Sequence, residues 1–202
     1  MTYLAISRAE SRPAIINLIA SYLRQGLVAV LPTDTIYGFS CSATNQLAIR
    51  RIYRLKKRDP RKPLIILVSG WAMLRRYTKL SPSQVKLVKR YCGNSERPTT
   101  IILPASKLIS PELLSESGGV AVRLPKSKLL IKIIEKLQTP IVSTSLNLSG
   151  QENISDVRLI NHYFPQITKR PDLVVDAGMD RRRRPSRLLD LRNPAQPLVL
   201  RK

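Results

Sequence analysis

The chain of 202 residues has one histidine, two cysteines, 5% aromatic residues, and 13 acidic against 35 basic side chains. Each scarcity narrows the function. A Ser-His-Asp triad would have to use His162, and no GxSxG accompanies it, which disfavours acyl-enzyme chemistry. His162, in "LINHYFP", reads as a surface or capping residue. Cys41 and Cys92 form neither a CxxC pair nor a zinc-ligand spacing and read as two reduced thiols. Few aromatics and no RNP-type cluster argue against a base-stacking platform. The apolar runs are far shorter than the ~20 residues that cross a bilayer. "MTYLAISRAESRP" holds no apolar leader core, so a cytoplasmic protein with no membrane association is expected. GxxxxGK[ST] and GxGxxG are absent, which excludes an ordinary P-loop and a dinucleotide fingerprint. No repeat or low-complexity linker interrupts the chain, and one domain over 1–202 is expected.

What is present is cationic. The net charge is +22, a field that draws polyanions: nucleotides, nucleic acid or an anionic membrane. Hydrophobic residues make up 43%, enough for a packed core. Helices are predicted over 12–25, 45–56, 82–91, 127–137 and 155–163, from 3.6-residue apolar periodicity and caps such as Asn45, Ser81, Ser127 and Ser155. Strands are predicted over 27–31, 64–68, 99–103, 120–124, 141–144, 173–175, 187–191 and 198–200. Strands and helices alternate, then late strands follow one another directly. The expected fold class is α/β: a mixed β-sheet flanked by helices.

Five segments carry possible chemistry. "LPTDTIYGFSC" puts Thr33, Asp34 and Thr35 at a strand's carboxyl end, where α/β folds bind ligands, or else forms an ordinary polar turn. "LKKRDPRKPL" gathers Lys56, Arg58 and Lys62 just before a buried strand. Three such cations suit a triphosphate, although a solvated basic turn has the same look. "GGVAVRLP" brings Arg123 out of an apolar strand, toward a ligand or a structural salt bridge. "PIVSTSLNLSG" offers Ser143, Ser145 and Asn147, neutral donors fit for a phosphate or carboxylate, or a Ser/Asn turn. "RRRRPSRLLDL" starts with Arg181, Arg182, Arg183 and Arg184: a phosphate-contacting loop, an RNA contact, or solvated charge.

In this order, "LPTDTIYG", "KKR…KPL", "VAVRLP", "STSLNLSG" and "PSRLLDL" resemble the YrdC-like threonylcarbamoyl-AMP synthases of the short, single-domain form. The family's Lys-x-Arg and Ser-x-Asn signature is met by Lys56, Arg58, Ser145 and Asn147, which the resemblance makes catalytic. It implies a twisted mixed β-sheet with a basic concave face, on which Lys56, Arg58, Lys62, Ser145, Asn147, Asn153 and Arg201 hold ATP, and Thr35, Arg123, Ser143 and Ser186 hold L-threonine. The implied substrates are ATP with Mg2+, L-threonine and bicarbonate. The product, threonylcarbamoyl-AMP, would pass to a downstream threonylcarbamoyl-transferase complex for N6-threonylcarbamoyladenosine in ANN-decoding tRNAs. The sequence departs from the family at five places. Lys62 and Leu67 stand where many members carry Asn and His; "RPTT" at 97–100 replaces a "PGPxT" segment; "MDRRRRPSR" replaces a glycine-rich run; and Arg187 replaces a Thr. The competing reading from another class is a non-catalytic protein on the same fold that binds double-stranded RNA or associates with the ribosome; its support is the charge and the arginine run, and direct tRNA contact fits both readings.

Overall fold

The computed structural model describes residues 1–7, 12–93, 97–166, 170–179 and 184–202. The helices are α1 (Pro13–Arg24), α2 (Gln46–Lys56), α3 (Trp71–Tyr77), α4 (Pro82–Val88), α5 (Lys128–Leu137) and α6 (Ile160–Tyr163). The strands are β1 (Thr2–Ala5), β2 (Ala29–Leu31), β3 (Gly38–Ser42), β4 (Ile65–Leu67), β5 (Thr99–Pro104), β6 (Gly119–Arg123), β7 (Ile141–Ser145), β8 (Leu173–Asp176), β9 (Arg187–Asp190) and β10 (Leu198–Arg201). They form one ten-stranded mixed sheet in the order β1-β8-β2-β3-β7-β4-β6-β5-β9-β10.

Local chemistry sets the helix ends. Asn45 Oδ1 accepts the Ala48 amide at 2.9 Å and starts α2. Ser81 and Gln84 close a reciprocal capping box on α4, after which a π-helical turn, Lys89–Gly93, carries the chain on. α2 ends at Lys57, whose φ of 49° is left-handed, so the next residue leaves in a new direction.

The strand period of two sorts side chains between two layers. On one face Phe39, Ile66, Ile101, Val122 and Val142 pack with α2, α3 and α4. On the other, Ala29, Leu31, Leu67, Ile141, Leu173 and Val175 pack under α1 and α5. Ser143 and Ser145 lie on Ile141's side of β7. The register sets Ser145 opposite Gly38, and Ser143 opposite Ser40 and Ile65. It sets Arg123 opposite Leu67 and Thr100. These polar positions therefore share the α1/α5 face, beyond the part that the two helices cover. That uncovered stretch is the floor of a cleft. Among the described residues, no helix is long and apolar enough to cross a membrane.

Three elements differ from the sequence expectation. β3 was expected as loop, because "GFSCS" has no apolar alternation; it is nonetheless fully buried between β2 and β7. β1 is a mostly exposed edge strand held by its parallel pairing to β8. α3 has no side-chain cap to announce it and is fixed by burial of Leu74 and Tyr77.

Candidate active site

The cleft has a volume of about 170 Å3 and is lined by separate stretches of the chain. These are Thr35, Ile36 and Gly38; Arg58; Pro63 to Ile65; Arg123; Ser143 to Ser145; Asn153; Pro185 and Ser186; and Arg201. Among the described residues, three guanidinium groups and several hydroxyls line it, and no carboxylate does.

Arg123 is 2% exposed. Its Nη1 donates to Thr35 Oγ1 at 3.2 Å, and its Nη2 lies 3.2 Å from Asp34 Oδ1. Asp34 Oδ2 accepts the Lys126 amide at 3.1 Å. Thr35 is held by Thr33, whose Oγ1 lies 2.8 Å from Thr35 Oγ1 and accepts the Thr35 amide at 2.9 Å. Among the described residues, the Arg123 Nε has no hydrogen-bond partner and is itself buried, a costly way to leave a donor. Burial pushes the Arg123 pKa down, Asp34 pulls it up, and Arg201 pushes it down again.

Arg201, on the last strand, donates from Nε to Ser186 O at 2.9 Å and from Nη2 to Ser186 Oγ at 3.3 Å. Ser186 Oγ lies 2.8 Å from Thr100 Oγ1. The shortened "RPTT" segment thus backs the lining residue Ser186 through the buried Thr100 hydroxyl. Burial, then the nearby charge of Arg97, push the Arg201 pKa down.

Gly38 keeps the floor open. A Cβ there would stand 2.7 Å from Thr144 O and 3.2 Å from Ser143 Oγ. Ser143 is buried beside it, and Ser145 continues the same row.

The Lys-x-Arg pair splits. Arg58 faces the cleft, its Nε donating to Lys62 O at 2.8 Å. Lys56 is 1% exposed and is not a lining residue. Its Nζ contacts Ser145 O at 2.5 Å, Asn147 Oδ1 at 2.6 Å and Asn147 O at 2.9 Å. Burial, then Arg58, lower its pKa to about 7, while the surrounding oxygens favour the charged form. Asn147 also lies behind the wall: its Oδ1 accepts Ser145 Oγ at 2.7 Å and its Nδ2 donates to Gln151 O at 2.6 Å. Lys62 is exposed and supplies only its carbonyl to Arg58.

Of the expected site residues, the structure brings Thr35, Arg58, Arg123, Ser143, Ser145, Asn153, Ser186 and Arg201 around one cleft. Lys56 and Asn147 form its backing, and Lys62 points outward. Arg187 turns to the opposite face, its guanidinium 5.5 Å from the Tyr91 ring centre. Leu67 is an apolar residue under α1 and α5. Arg181, Arg182 and Arg183 lie outside the described residues; Arg184 is exposed. Sequence reasoning missed Ile36, Gly38, Ile65 and Pro185 as walls. Once β3 is paired with β7, the two-residue period assigns Gly38 to the Ser143 side.

Among the described residues, no cluster of His, Cys, Asp or Glu is arranged to hold a metal ion. The family model that matches, Sua5/YciO/YrdC, described as "Telomere recombination", spans residues 21–202. A threonylcarbamoyl-AMP synthase of Thiobacillus denitrificans is 34% identical over 188 residues, covering 92% of this chain and 96% of that protein. The structure of E. coli YciO superposes with a TM-score of 0.84 at 26% identity, covering 100% of this chain and 94% of that one. Pyrococcus abyssi Sua5 complexed with L-threonine superposes with a TM-score of 0.83 at 25% identity. That match covers 99% of this chain, which spans only 56% of the archaeal protein.

Proposed function

The chain belongs to the Sua5/YciO/YrdC family, and from that premise we propose that it is an L-threonylcarbamoyladenylate synthase. It converts L-threonine, bicarbonate and ATP to threonylcarbamoyl-AMP and pyrophosphate, working as a single domain in the cytoplasm. The observation that carries the reading is the cleft in which Arg58, Arg123 and Arg201 converge with hydroxyls and no lining carboxylate.

The chemistry asks for such a cleft. Threonine's amine takes up bicarbonate carbon as a carbamate, with loss of water. A carbamate oxygen then attacks the α-phosphorus of ATP, the bond to the bridging oxygen breaks, and pyrophosphate leaves. Both reactants are anions and repel each other unless cations stand between them. Arg123, with its free Nε, is suited to the threonine carboxylate, and Thr35, Ser143 and Ser186 to its amine and hydroxyl. Arg58, Ser145, Asn153 and Arg201 are suited to the phosphates. Mg2+ enters on the triphosphate as part of the substrate. No side chain need be covalently modified; the rate comes from orientation and from guanidinium groups fixed where charge develops. The adenylate then serves a threonylcarbamoyl-transferase complex acting on ANN-decoding tRNAs, and the +22 charge favours tRNA encounter.

The test is incubation with ATP, bicarbonate and labelled threonine, followed by detection of labelled adenylate. The reading expects formation that needs all three substrates and is lost in Arg58→Ala and Asn147→Ala. Undiminished formation in both variants would remove the site from the reaction.

A further inference from the structure

The family signature groups Lys56 with Arg58, but their surroundings set them apart. An ammonium group has three protons. Ser145 O, Asn147 Oδ1 and Asn147 O, at 2.5, 2.6 and 2.9 Å, take all of them. The main chain doubles the link: Lys56 O, at the open end of α2, accepts the Ser149 amide at 2.8 Å. Asn147 Nδ2, bonded to Gln151 O, closes the far side of the turn. Two carbonyls and an amide oxygen thus converge where water is excluded, and each would be costly to leave unmade. Only lysine brings three donors to them from one atom; arginine's planar fork spreads its donors apart. The left-handed Lys57 then turns the chain, so Arg58 emerges on the cleft side.

Building on the synthase reading, we propose that Lys56 is a positioning residue. It fastens the 145–151 segment to the end of α2 and so fixes Ser145 in the cleft wall, and of the Lys-x-Arg pair only Arg58 meets phosphate. A phosphate ligand at Lys56 would have to displace Ser145 O or an Asn147 oxygen from its Nζ.

The experiment follows the isotope-labelled Lys56 Nζ and Arg58 Nε by NMR in the full chain. The probe is Mg2+ with a non-hydrolysable ATP analogue; Lys56→Met assigns the lysine signal. The proposal expects the Arg58 signal to move while the Lys56 signal stays in place. A Lys56 signal that moves with the nucleotide overturns the proposal and leaves the synthase reading standing. If neither signal moves, the phosphate site of the synthase reading fails, and the fastening is judged by a second measurement. In ligand-free Lys56→Met, amides 146–151 should exchange about tenfold faster or more, as local opening becomes easier. Unchanged exchange there overturns the proposal whatever the nucleotide does.

Discussion

Arg123 shows how much geometry one side chain carries. It is buried, it holds Thr35 and Asp34, and its Nε is buried without a partner among the described residues. Lysine at this position keeps the charge but loses the fork. We expect Arg123→Lys to raise the KM for threonine about tenfold or more, in line with the ~1.5–3 kcal/mol of a charge-assisted hydrogen bond. Steady-state kinetics with threonine varied at saturating ATP checks this, and an unchanged KM would separate Arg123 from threonine. Gly38 is the complementary case, where absence of a side chain matters. Gly38→Ala drives a methyl against Thr144 O and should cost about 1–3 kcal/mol of stability by overpacking, together with weaker threonine binding. Urea unfolding and calorimetric titration read the two effects. At this scale the sequence was partly legible. Arg123, Ser143 and Ser145 could be picked out as polar residues in or just after apolar strands. That Lys56 and Arg58 part company was not legible, because it depends on the backbone turn at Lys57.

Among the elements, caps and periodicity made α1, α2, α4 and α5 readable, each displaced by a few residues at most. β3 was hidden because its burial comes from its neighbours and not from its own composition. Two elements carry predictions. The Ser81 capping box ties α4 to the far sheet edge, since Gln84 Nε2 also donates to Leu191 O at 3.0 Å. Ser81→Ala should cost about 1 kcal/mol, and lower Tm by roughly 2–4 °C in a scanning-calorimetry comparison. At the β9–β10 turn, Arg192 donates to Asp190 from Nε, from Nη2 and from its backbone amide. Its side-chain bonds, above all, hold the Asp190 carboxyl below the usual carboxylate range. A lowered folded pKa means stability that is present above the unfolded value of about 3.9 and lost as pH falls through the lower folded one. Asp190→Asn should therefore flatten the acid limb of the stability curve and cost about 1 kcal/mol at neutral pH, the exposed side of Arg192 screening the pair. Chemical unfolding at stepped pH checks the sign.

For the molecule as a whole, charge and shape act together. A net +22 surrounds a cleft whose lining, among the described residues, holds arginines and no carboxylate, a field that would steer an incoming nucleotide. Raising ionic strength from about 50 to about 500 mM should lower kcat/KM for ATP several-fold as the Debye length shrinks. A flat salt response would mean that the field has no part in capture. Alternating strand and helix patterns announced the α/β class, and the net charge suggested anionic partners. The location of the site followed only from strand order, which leaves part of one sheet face uncovered by α1 and α5. The central claim is that this uncovered face holds two anions side by side. The most direct test is a crystal of the full chain soaked with threonine and a non-hydrolysable ATP analogue. The account predicts the threonine carboxylate on Arg123 and the phosphates against Arg58 and Ser145, with threonine's nitrogen turned toward the α-phosphate. Phosphates lodged instead on the exposed lysines and arginines of the 57–62 turn, with Arg58 and Arg123 untouched, would contradict it.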